Sequence, residues 1–229
     1  SIKPNAVQSR KEFYDWLAKD VKISGIVQVK RDTDFDDQEH YRSGGIRLFY
    51  KSLTSTLQGV KDGILLEAGF DNVAPNMPLQ ISSWAYDEGS KVKELKIIDN
   101  RATDIFCYHP GYTFVEKLRT IIRLYRQEQQ DGQKRKNYMR QYNDIYCLLE
   151  NDQVNAFIGT AEYKAHKQAR IKGKDSEVSI QDNPALRLDD KKLLKDFEER
   201  YKVTAALYYT GQVPFAKIAA RIRANLGRL

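Results

Sequence analysis

Cys107-Tyr-His-Pro-Gly-Tyr-Thr-Phe-Val-Glu116-Lys117-Leu118 is the stretch on which the fold reading turns. His109-Pro-Gly111 is a turn signal, and Thr113 to Glu116 has capping-box spacing. Val115, Leu118, Ile121, Ile122 and Tyr125 then recur at helical intervals, which predicts a helix over about 112–130. Downstream the helical period returns at about 137–150, 161–170, 189–209 and 214–226, with a polar stretch at 171–183. Upstream the pattern changes. Segments 23–30, 45–51 and 64–70, and then 79–86 and 105–108, have strand character. A short amphipathic helix precedes them over 9–20, where Ser9-Arg-Lys-Glu12 again has capping-box spacing. The reading is an α+β fold, with a sheet-rich part at 1–110 and a helical bundle domain at 111–229.

The 229 residues are 41% hydrophobic and 30% charged, enough apolar content for a substantial core and too much for a disordered chain. No apolar run approaches the roughly 20 residues of a membrane span, and Ser1 to Arg10 has no apolar stretch or small-residue cleavage site. A cytoplasmic protein with no membrane partner is expected. Cys107 and Cys147 stand among apolar neighbours and read as small buried hydrophobes, and no histidine has zinc-ligand spacing. The net charge of +7 is uneven: 1–110 carries −1 and 111–229 carries +8. Within 117–174 stand 13 basic residues, Lys136 among them, against six acidic ones. A polyanion such as RNA suits that half, although solvated helix faces explain any single cation, Arg119, Arg123 and Arg126 included.

Four constellations bear on chemistry. Glu67 lies inside Ile64-Leu-Leu-Glu67-Ala-Gly-Phe70, where a desolvated carboxylate wants a cation or a metal; strand alternation toward solvent explains it equally well. Glu116 and Lys117 open the long helix, where a flexible amine reaches phosphate oxygens, or the two form an ordinary surface pair. Arg140 and Asp144 stand four apart and project from one helix face, as a functional pair or as an intrahelical ion pair. The run Arg31 to Glu39, with Asp32, Asp34, Asp36 and Asp37, lacks the glycine and terminal Glu of a calcium loop and reads as a solvated loop.

Taken together, Asp62 to Phe70, Ile81 to Tyr86, Cys107 to Leu118, Met139 to Leu149 and Leu207 to Phe215 resemble the AbiEii/AbiGii-type nucleotidyltransferases. These are toxins of bacterial type IV toxin–antitoxin and abortive-infection systems. The Phe-Val-Glu-Lys-Leu segment paired with Arg-x-x-x-Asp-x-Tyr is the most specific part of the likeness. The resemblance implies a polymerase-β-like sheet followed by a helical bundle that closes over the nucleotide. It makes Glu67 the third metal-site acid, Lys117 the amine on the triphosphate and Asp144 the helical acid completing the site. Arg140 steadies Asp144 or touches phosphate. The implied chemistry moves a nucleoside monophosphate from an NTP to an acceptor such as tRNA with two Mg2+ ions, and the implied partner is a cognate antitoxin.

One departure accompanies the likeness. The family's Gly-Gly-Thr-Ser-like turn and Ser-Glu-Asp-Ile-Asp-like strand, source of the first two metal carboxylates, do not occur in these residues. The sequence opens at Ser1 where the family leaves that strand. The acids at 32–37 precede Gly44-Gly45 instead of following it. The expectation is therefore a partial sheet and a truncated catalyst, inactive alone because one acid cannot hold magnesium against water. Its exposed sheet would need cover, for example in a homodimer. The alternative is a non-catalytic module that binds RNA, an antitoxin or another partner.

Overall fold

A computed structural model describes residues 4–55, 61–135, 137–208 and 210–229, so Lys136 of the basic run and Tyr209 of the long fourth helix lie outside the described residues. The chain forms two compact units, 1–73 and 74–229. The change from strand to helix falls elsewhere, at His109 and Pro110, so a two-stranded ribbon belongs to the helical unit.

In the first unit, helix α1 (Pro4–Asp20) precedes an antiparallel sheet of β1 (Ile26–Asp32), β2 (Ser43–Tyr50) and β3 (Ile64–Gly69), in the order β1-β2-β3. The helix is already formed at Pro4, so Ser9 lies inside it and is not its cap. Two glycines in β2 let neighbours approach both faces. A Cβ on Gly44 would stand 2.7 Å from Cγ of Tyr14, which α1 buries completely on that face. On the opposite face, a Cβ on Gly45 would meet the Asp32 carbonyl oxygen at 2.7 Å and Phe35 at 2.9 Å. Gly45 pairs with Asp32 on one side and Glu67 on the other, so the two acids flank a residue without a side chain, on the face remote from α1.

The second unit opens with β4 (Asn76–Ile81) antiparallel to β5 (Ala102–Tyr108). Between them stands the short helix α2 (Trp84–Gly89). The strand expected over 79–86 stops at Ile81, because the Ser83 hydroxyl accepts from the Tyr86 N–H and starts that helix.

Helix α3 (Pro110–Asp131) is the axis of the bundle. Its cap is His109, whose Nδ1 accepts the Gly111 N–H at 3.1 Å, so Thr113 stands inside the helix. It ends at Gly132, whose φ of 70° is the left-handed conformation that terminates helices at glycine. Then follow α4 (Arg140–Leu148), α5 (Asp152–Phe157), α6 (Ala161–Arg170), α7 (Pro184–Arg187), α8 (Lys191–Lys202) and α9 (Phe215–Asn225). Asn151, Thr160, Asn183 and Asp190 cap α5, α6, α7 and α8 with side-chain oxygens. The helix expected over 189–209 ends at Lys202, beyond which Gln212 donates to the Tyr201 carbonyl at 2.8 Å.

Phe114, Leu118 and Ile121 of α3, Tyr142 and Ile145 of α4, and Ile218 and Ile222 of α9 are completely buried together. The ring of Tyr142 lies 5.5 Å from Phe197 and 5.4 Å from Phe215, and its hydroxyl donates to the Ala185 carbonyl at 2.8 Å. The polar group is thus satisfied where water is absent. Both cysteines are free; Cys107 is half-buried, while Cys147 is exposed and not the buried hydrophobe its neighbours suggested. No described helix is long and apolar enough to cross a membrane.

Candidate functional site

Lys117 and Asp144 meet where α3 passes α4. Both elements are fixed by their apolar stripes: Phe114, Leu118 and Ile121 inward on α3, Tyr142, Ile145 and Tyr146 inward on α4. The residues flanking those stripes are left at the seam. There Nζ of Lys117 lies 2.7 Å from Oδ2 of Asp144, with side chains 31% and 39% exposed. The intrahelical partner available to Asp144 is not used. Arg140 is exposed and has no ion pair among the described residues, which removes the bland reading of that i,i+4 pair and leaves a cation one turn from the Lys117 contact. An ion pair this exposed contributes about 0–1 kcal/mol, so little free energy holds the amine on Asp144.

Glu116 faces elsewhere. Its carboxylate accepts from Arg170 at 2.5 Å and lies 3.2 Å from Nε2 of His166, both on α6, with Arg119 at 3.5 Å. It ties α3 to α6 and is not half of a surface pair with Lys117.

Glu67 stands in the first unit. It is exposed on β3 and forms no ion pair among the described residues, the solvent-facing outcome of strand alternation. Its row neighbour Asp32 is committed: it accepts from Arg47 at 2.6 Å and from Lys61 at 3.1 Å. Burial raises the Asp32 pKa, but these two cations outweigh it and hold the carboxyl below the ordinary value. Asp34 pairs with Lys61 at 2.6 Å, Asp36 with Arg31 at 2.6 Å, and the Asp37 carboxylate accepts three N–H groups of its own loop. The acidic run is therefore not the solvated loop expected; it is cross-linked to the sheet by arginine and lysine.

Among the described residues, no three His, Cys, Asp or Glu side chains gather as metal ligands do. A lone exposed Glu67 beside an Asp32 already neutralised by two cations does not make the donor set of a two-metal centre. The residues present do not fit that group, and no step is derived through it.

A feature that the residue pattern did not disclose lies at the head of α3. His109, Tyr112 and Phe157 pack edge-on or tilted at 4.8 to 6.2 Å between ring centres and, with Asn76 and Gln153, line an open pocket of about 480 Å³. The signal was present in the aromatic residues around Pro110. Phe157 joins them through α5, a helix too short to show a period.

The helical unit thus brings a lysine and an unpaired arginine to an accessible carboxylate. The chain matches the family described as nucleotidyl transferase AbiEii toxin, type IV TA system, over residues 3–221, and it belongs to that family. No curated protein and no solved structure matches it.

Proposed function

We propose that the helical unit handles the NTP of an AbiEii-type transfer of a nucleoside monophosphate to an RNA acceptor such as the end of a tRNA. The observation that carries this is the 2.7 Å contact between Lys117 and Asp144 with Arg140 unpaired beside it. On this reading Asp144 holds the amine at the seam until triphosphate oxygens replace it. Lys117 then neutralises phosphate charge, and Arg140 takes a second oxygen from the next turn of α4. Because Asp32, the other acid on the Glu67 face of the sheet, is bound to Arg47 and Lys61, the 229 residues by themselves transfer no nucleotide.

A radiolabelled-NTP transfer assay on bulk RNA tests this, paired with nucleotide-binding measurements. We expect no incorporation by the purified chain. Lys117→Ala should weaken NTP binding about tenfold while leaving the melting temperature nearly unchanged. Incorporation that vanishes in Glu67→Ala refutes the inactivity. Nucleotide binding indifferent to Lys117→Ala removes the site.

A second reading is a partner-binding module. It is supported by the β4 and β5 ribbon, where Leu79, Ile81, Ile105 and Phe106 are all exposed. A cognate antitoxin or a second copy of the chain would cover it, and light scattering of the chain alone and with its antitoxin separates the two.

A further inference from the structure

Tyr112, Glu116, Arg119, Arg123 and Arg126 follow one another at helical spacing and form a single stripe along α3, next to the one that carries Lys117. Two of its arginines are neutralised within the unit. Arg119 lies 3.5 Å from Glu116, which also holds Arg170, and Nε of Arg126 donates to Asp175 at 2.8 Å. Arg123, between them, forms no hydrogen bond or ion pair among the described residues.

Its Nε is buried without an acceptor, as is that of Arg119 one turn earlier, while the Arg123 side chain remains only partly covered, so its terminal nitrogens reach solvent. Burial, and then the neighbouring charge of Arg119, push the Arg123 pKa down, the opposite of what a guanidinium with its own carboxylate shows. The fork is partly desolvated, and the two carboxylates that act on it, Asp175 and Glu116, are engaged by Arg126 and by Arg170 and Arg119 instead of pairing with it.

From this we infer a second anion site, distinct from the Lys117 and Asp144 seam: the terminal nitrogens of Arg123, whose buried Nε fixes the fork, receive a phosphate group. A guanidinium offers two parallel N–H donors to two phosphate oxygens, the geometry a point charge cannot give. The phosphate belongs either to the backbone of a nucleic-acid strand or to a free phosphate compound; the chemistry at Arg123 is the same. The site does not depend on the transfer reaction, so it stands or falls separately from it.

Binding of a fluorescein-labelled 12-nucleotide oligouridylate and of inorganic pyrophosphate to the full chain tests the site, with Arg123→Gln, Arg123→Lys and, as a charge control on α8, Lys195→Gln. Arg123→Gln should weaken oligonucleotide binding about tenfold and flatten its salt dependence by about one phosphate contact, without lowering the melting temperature. Arg123→Lys should lose a smaller factor and Lys195→Gln less than twofold. A parallel loss of pyrophosphate binding assigns the site to terminal phosphate; a loss confined to the oligonucleotide assigns it to phosphodiester. Should Arg123→Gln fail to fold, unchanged binding of both probes by Arg123→Lys overturns the proposal. So does equal weakening by Arg123→Gln and Lys195→Gln, or wild-type binding of both probes by Arg123→Gln.

Discussion

Glu128→Ala should destabilise the helical unit by about 2–3 kcal/mol, the cost of depriving a largely covered guanidinium of its main carboxylate and a backbone donor of its acceptor. Glu128 is 6% exposed on the last turns of α3. Its carboxylate takes both terminal nitrogens of Arg200 on α8, at 2.7 and 2.9 Å, and also accepts the Arg135 N–H at 2.7 Å. One side chain therefore joins α3 to α8 and closes the loop after Gly132. Removing it strands a guanidinium whose remaining partner is Asp196 at 3.3 Å, and orphans a backbone donor. Urea unfolding of Glu128→Ala, Arg200→Met and the double variant Glu128→Met/Arg200→Met gives the decisive comparison. The double variant should cost less than the two single changes together, because it leaves no unpaired charge inside. Strict additivity would show that the pair is incidental.

That ion pair marks the boundary of what the residue pattern discloses. Where local signals act alone, the sequence reading and the structure agree: the 161–170 helix is α6, and the apolar strand at 64–70 contains β3. Where a local signal competes with a distant partner, the partner decides. Thr113-x-x-Glu116 has the spacing of a capping box, but the Glu116 carboxylate is taken by Arg170 and His166 of α6, so the helix starts at Pro110 with His109 as its cap. Ser9-x-x-Glu12 misleads in the same way, since Glu12 accepts instead from Gln8 at 2.7 Å within the helix. Asp144 has Arg140 one turn away and pairs with Lys117 from another helix. The acids at 32–37 look solvated in one dimension, yet Asp32, Asp34 and Asp36 are held by cations that the sheet and the 61 position bring to them, and Asp37 by backbone N–H groups of its own loop. Helices α5 and α7, of six and four residues, are too short for a 3.6-residue period to register and are betrayed only by their Asn caps. The family's residue types could thus be found in the sequence, whereas the state of each charge could not.

Gly111→Ala is expected to cost about 1–3 kcal/mol even though alanine favours helix by roughly 1 kcal/mol over glycine. A Cβ at position 111 would lie 2.3 Å from Cδ1 and 2.5 Å from Cγ of Phe157, and Gly111 is itself buried at the second position of α3. Phe157 cannot withdraw freely, because the tilted rings of Tyr112 and His109 pack against it at 4.8 and 5.3 Å and Tyr163 meets it edge-on at 5.8 Å. The methyl group must therefore displace the ring or shift the start of α3. Displacing the ring reshapes the pocket beside His109; shifting the helix moves Lys117, less than two turns along, relative to Asp144. The Phe157→Ala background separates the two terms. With the ring gone, Gly111→Ala should turn neutral or stabilising, and thermal melts of the four-variant cycle read the change of sign. If alanine at 111 costs as much without Phe157 as with it, the close approach is not what requires glycine there, and the coupling drawn here between the aromatic pocket and the Lys117 seam loses its physical basis.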